Sequence, residues 1–119
     1  MQLEFYWDEA GDARARGGGA QGLVARFLES DVQTSRRECQ DILQAIDRIV
    51  AGKLRSWEDT GNSFTLILSS REARLESEVD LRKPPAHVPL AELRGAVADW
   101  LAFLERGRPE VRSGPKGSA

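Results

Sequence analysis

Between positions 35 and 53 the apolar residues fall at Cys39, Ile42, Leu43, Ile46, Ile49 and Val50, three or four places apart or side by side. An α-helix turns once every 3.6 residues, so this spacing gathers them into a single stripe. A helix of this length is marginal alone in water, and its oily side must lie against another layer of the chain. Ser35 and Glu38 precede the stripe at the spacing of a capping box, in which each side chain satisfies a free N–H of the first turn. Ser30 or Asp31, with Val32 as the first inward residue, is the alternative start. Gly52 supplies a stop, and Lys53 puts positive charge near the negative end of the helix dipole. A second stripe, Leu90, Leu93, Val97, Trp100, Leu101 and Leu104, ends at Gly107 and Pro109.

The covering layer reads as β-structure. Leu3, Phe5 and Trp7 alternate with Gln2, Glu4, Tyr6 and Asp8, the period of a half-buried strand. Asp8 to Asp12 carries turn chemistry around Gly11, and alternation resumes to Arg16, giving a first hairpin that Gly17, Gly18 and Gly19 break. Leu23 to Leu28 reads as a third short strand, with a helical turn as the alternative. In a second hairpin, Phe64, Leu66 and Leu68 face one way. After the turn Ser69-Ser70-Arg71, Ala73, Leu75 and Val79 alternate with Glu72, Arg74, Glu76 and Glu78. Pro84, Pro85 and Pro89 mark a loop that cannot continue a ladder. The prediction is an α+β fold: an antiparallel sheet of four to five strands, built from two hairpins, with two amphipathic helices packed on one face. It occupies residues 1–107 as a single domain, and the polar, basic stretch 108–119 is expected to be a disordered tail.

Several function classes are disfavoured before any motif is considered. A chain of 119 residues can bury one core but not a large cleft as well. With 40% apolar and 30% charged residues it is too apolar for wholesale disorder, and a net charge of −2 exerts no general pull on nucleic acid or anionic membranes. Cys39 is the single cysteine, so no intramolecular disulfide forms. Met1 to Asp8 lacks the basic and apolar regions of a signal peptide, and no run reaches the roughly 18–20 apolar residues of a membrane span. A cytoplasmic, membrane-free protein is expected.

The motifs that suggest chemistry have plainer readings. Gly17-Gly18-Gly19-Ala20-Gln21-Gly22 matches G-x-G-x-x-G, but small and charged residues precede it where the dinucleotide fingerprint needs a buried strand. Cys39 sits on the apolar stripe, as a buried structural thiol would, far in sequence from His87, the only histidine. Glu72, Glu76 and Glu78, with Arg74 between them, suit a solvated strand face, and Arg36, Arg37, Glu38 and Asp41 suit exposed helix decoration. No catalytic, cofactor or metal site is expected, and no enzyme.

What remains is a surface. If both helices cover the face of Phe5, Trp7, Leu66 and Leu75, the far face shows Tyr6, Arg14, Arg16, Ile67, Arg74 and Glu76. Trp57, at a loop-to-strand entry and followed by Asp59, Thr60, Gly61 and Asn62 as turn residues, offers a second corner for binding. The expected function is therefore a non-enzymatic protein-interaction or regulatory module whose partner is an unknown protein or a second copy. An immunity protein that blocks a toxin is a compatible sub-case. The alternative is a single-stranded nucleic-acid binder using Tyr6 with Arg14, Arg16 and Arg74, which the net charge disfavours.

With these elements placed, the chain resembles the YacL family of small bacterial proteins from about Leu3 to Glu105. The resemblance is carried by Glu4-Phe5 with Asp8 and Gly11, by Ser56-Trp57, Gly61 and Phe64-Thr65-Leu66, and by the C-terminal amphipathic helix. It implies the fold and a bacterial cytoplasmic setting, and it brings no activity to any residue. The triple glycine, and a short proline-rich loop where relatives tend to have a longer acidic one, depart from the family pattern.

Overall fold

The computed structural model describes residues 2–19 and 21–109. Apart from Arg108 and Pro109, the stretch expected to be a disordered tail lies outside the described residues. In chain order come β1 (Glu4–Trp7), β2 (Ala13–Arg16), α1 (Gln21–Phe27), a π-helical turn (Leu28–Val32) and α2 (Arg36–Val50). Then follow β3 (Trp57–Thr60), β4 (Phe64–Leu68), β5 (Glu72–Ser77), β6 (Ala86–Pro89) and α3 (Leu90–Arg106). The fold is α+β, all strand pairs are antiparallel, and both long apolar stripes are helical.

Four expectations need correction. The strands divide into a two-stranded sheet, β1-β2, and a four-stranded sheet in the order β3-β4-β5-β6. Leu23 to Leu28 is helical rather than a strand: Val24, Phe27, Leu28 and Val32 are buried at helical spacing, and so short an apolar run fits either period. Asp59 and Thr60, read as turn residues, belong to β3. Pro89, assigned to a loop, is the last residue of β6 at the sheet edge, where a missing N–H interrupts no ladder.

Local chemistry explains the rest. Ser35 Oγ accepts the Glu38 N–H at 3.0 Å, whereas the Ser35 N–H donates to Val32 O, so only half of the expected capping box forms. At the far end of α2, Gly52 takes a φ of +76°, and the Gly52 and Lys53 N–H groups close on Ile49 O and Arg48 O. Ile42, Ile46, Leu66, Leu68, Leu75, Leu93, Val97 and Trp100 are all almost fully buried between the helices and one face of the large sheet. Val50 and Val79, expected to face inward, are 73% and 75% exposed: one is the last residue of α2, the other lies beyond the end of β5.

Trp100 ties three parts together. Its indole N–H donates to Gln33 O at 2.8 Å, holding a non-glycine residue at φ +56° just after the π-helical turn. Phe5 meets it edge-on at 5.0 Å, and Trp7 stacks on Phe103 at 5.0 Å, so the β1-β2 hairpin is fastened to α3 by aromatic rings.

Candidate functional site

The large sheet owes its position to Asp31 in the π-helical turn. Asp31 Oδ1 accepts the Ser63 N–H at 2.9 Å and Oδ2 accepts the Phe64 N–H at 3.0 Å, while Asn62 Nδ2 donates to Ser30 O. A Cβ on Gly61 would lie 2.6 Å from Asp31 Oδ2. Glycine is needed there for space, so that a carboxylate can grip the turn between β3 and β4.

Because side chains alternate along each strand, the register sorts the sheet into two faces. Leu66, Leu68, Ala73, Leu75 and Val88 point to the helices and are buried. Glu58, Ile67, Arg74 and His87 form one row across the opposite face, flanked by Thr65, Glu72 and Glu76. The side chains of Glu72, Arg74, Glu76 and His87 there keep 38–53% exposure. His87 Nδ1 lies 2.9 Å from Glu72 Oε2, and Arg74 Nε lies 3.1 Å from Glu76 Oε2 without hydrogen-bond alignment. Thr65 Oγ1 donates to Glu78 at 2.7 Å and lies 2.9 Å from Thr60 Oγ1. Ile67 is a half-buried apolar residue in this polar, predominantly acidic surround.

The six candidate residues do not form one surface. Tyr6, Arg14 and Arg16 lie together on the outward side of β1-β2, with Arg16 4.9 Å from the centre of the Tyr6 ring. Ile67 and Arg74 are paired on the four-stranded sheet, and no ladder joins the two groups. The helical segment after Gly17–Gly19 separates the hairpins, so the single large sheet that would have united them is not built. Trp57 is on β3, half-buried against the core beside Leu54 and Ala45.

The arginines of the small sheet are already engaged. Arg14 Nε donates to Glu29 Oε2 at 2.8 Å and an Arg14 terminal nitrogen lies 3.4 Å from Asp8, while Arg16 donates to Glu4 at 2.7 Å. Hydrogen bonds donated to these carboxylates raise both guanidinium pKa values, and Arg16 holds the Glu4 carboxyl below its usual range. These pairs would have to open before phosphates could bind.

Sequence reasoning missed an acidic recess on the opposite side of β3. Glu38 on α2, Asp59 on β3 and Asp31 line a hollow of about 280 Å³ with Gly61 and Leu66. Burial first, then the hydrogen bond and charge of Asp59 and the charges of Asp41 and Asp31, push the Glu38 carboxyl up to about 7. A helical reading placed Glu38 beside exposed Asp41, and nothing local signals that β3 brings Asp59 alongside. Among the described residues, no group of three or more His, Cys, Asp or Glu is arranged to hold a metal ion.

The remaining motifs resolve simply. Cys39 is fully buried, and desolvation raises its thiol to about 11, well away from nucleophilic use. The glycine-rich loop leads into α1, but that helix has only seven residues, and the Gln21 and Gly22 N–H groups already donate to Gly18 O and Gly19 O. No helix among the described residues is long and apolar enough to cross a membrane.

Similarity to known proteins agrees with the architecture. The chain is 27% identical over 101 residues to UPF0231 proteins of Shewanella sp. strains MR-4 and MR-7, covering 72% of this chain and 82% of each relative. The UPF0231 protein of strain ANA-3 is 26% identical over the same extent. No solved structure gives a significant match. The family model described as an uncharacterised protein family, UPF0231, matches residues 1–84, and the YacL family is this same family. The chain belongs to the uncharacterised protein family UPF0231.

Proposed function

We propose that the chain is a non-enzymatic protein-interaction module that binds another protein through the outward face of its four-stranded sheet. The observation that carries this reading is the asymmetry of that sheet: one face is buried under helices, while on the other Ile67 sits among partly exposed Glu72, Arg74, Glu76 and His87. An apolar centre with a polar rim is the usual anatomy of a contact surface. The ion-paired state of Arg14 and Arg16, and the acidic balance around Ile67, favour a protein partner over single-stranded nucleic acid.

The test is an affinity capture with three baits: the natural chain, Ile67→Asp, and Tyr6→Ala. Because Tyr6 is on the other sheet, the reading expects a protein captured by the natural chain and by Tyr6→Ala to be lost from Ile67→Asp. Equal recovery by all three baits would refute it.

A further inference from the structure

Of the two edges of the large sheet, β6 is poor in N–H donors, and β3 pairs with no further strand among the described residues. β6 ends in Pro89 and follows Pro84 and Pro85, whose rings remove N–H donors. β3 carries exposed Glu58, Asp59 and Thr60. Antiparallel ladders alternate between bonded and non-bonded pairs, and the Gly61 N–H donates to Phe64 O across the turn. Counting back from that pair, the backbone N–H and C=O groups of Glu58 and Thr60 point away from β4, on the sheet's free side. Two recesses lie between this edge and α2. One, of about 200 Å³, is walled by Trp57, Leu54 and Ala45 with Gln44, Asp41 and Arg48 at its sides; the other is the hollow of Asp31, Glu38 and Asp59. Trp57 and Asp59 are two residues apart on the same side of β3, the spacing at which alternate side chains of a neighbouring strand repeat.

We propose that β3 receives an extended segment of a partner protein as a fifth strand, with an apolar side chain beside Trp57 and, two residues away, a lysine or arginine beside Asp59. This rests on the reading of the chain as an interaction module and names the partner's chemistry. Main-chain bonds to Glu58 and Thr60 hold the segment, and the recesses select its side chains, as in other strand-addition sites. Charge complementarity chooses this occupant over a second copy. Pairing β3 with β3 would bring Glu58 and Asp59 of two chains together, and like charges across a ladder repel. Acidic residues on an edge deter self-pairing, and the same residues attract a basic strand.

The experiment is selection of random octapeptides displayed on phage against the full chain, followed by fluorescence polarisation of the enriched peptides with variants. The expected result is enrichment of proline-free sequences with lysine or arginine two places from an apolar residue. Asp59→Lys should weaken such a peptide at least tenfold, and replacing the peptide's basic residue by glutamate should restore binding to that variant. Circular dichroism checks that each variant is folded; Asp59→Lys removes a carboxylate from beside Glu38 and is expected to fold. Absence of enrichment, sequences without the pattern, or binding indifferent to Asp59→Lys would overturn the proposal. So would a solution dimer that Asp59→Lys dissociates. Loss with Ile67→Asp but not with Asp59→Lys would defeat the edge and leave the outward face standing.

Discussion

At the scale of single residues, the two most informative positions are Gly61 and Glu38. Gly61 has ordinary backbone angles for any residue, and its role is to leave room for Asp31. Gly61→Ala should therefore cost about 1–3 kcal/mol through overpacking. In an Asp31→Ala background, which itself loses two charge-assisted bonds to backbone N–H groups, the same change should be nearly neutral. A double-mutant cycle by urea denaturation checks this, and additive costs would contradict it. Glu38 makes a prediction about pH. Its folded carboxyl titrates near 7, above the ordinary value of 4.5, so between those values the folded chain keeps a proton that the unfolded chain releases. Stability from this group falls as pH rises from about 4.5 to 7 and stays low above. Glu38→Gln should raise the Tm by a few degrees at pH 8, with the difference shrinking towards pH 4.5. A gain that is the same at both pH values would show that ionisation is not its cause.

At the scale of elements, the readable parts were those whose period is long and unbroken. The stripe from Cys39 to Ile49 and the one from Leu90 to Leu104 specify helices with their stops at Gly52 and Gly107, and the Phe64–Leu75 alternation specifies a hairpin and its turn. The β1-β2 hairpin, four residues a strand, is legible from alternation on either side of Gly11, but the other short elements are not. Leu23 to Leu28 fits two periods, and β3 and β6 have four residues each, made of turn-like or proline-containing sequence that tertiary pairing holds extended. The π-helical turn closes locally, the Gln33 N–H donating to Leu28 O and its side chain to Ser30 O, but the contact that holds the Gln33 carbonyl comes from Trp100, distant in sequence. Trp100→Phe keeps a ring but leaves that carbonyl without its donor, and a loss of about 1–3 kcal/mol is expected by chemical denaturation. A cost near zero would mean the bond does not hold the turn. Ser35→Ala removes the cap of α2 and should cost about 1 kcal/mol in the same measurement.

At the scale of the molecule, the division into two sheets decides what the surface can do. In β1, β2, β4 and β5 alternation tells which side chains point outward, and Tyr6, Arg14, Arg16, Ile67 and Arg74 lie on the outward faces of their sheets. What one chain's pattern could not convey was that the hairpins belong to separate sheets, or that Glu29, from outside the smaller hairpin, pairs with Arg14. Binding at the outward face requires Ile67 to be open to solvent in the full-length chain. Cys39 provides an internal standard, since the only thiol of the natural chain is completely buried. Thiol labelling of the folded full-length Ile67→Cys variant tests the point most directly. One sulfhydryl should react at the rate of an exposed thiol while Cys39 stays silent until the chain unfolds. Protection of the new thiol to the level of Cys39 would show that the face is covered and would contradict the account.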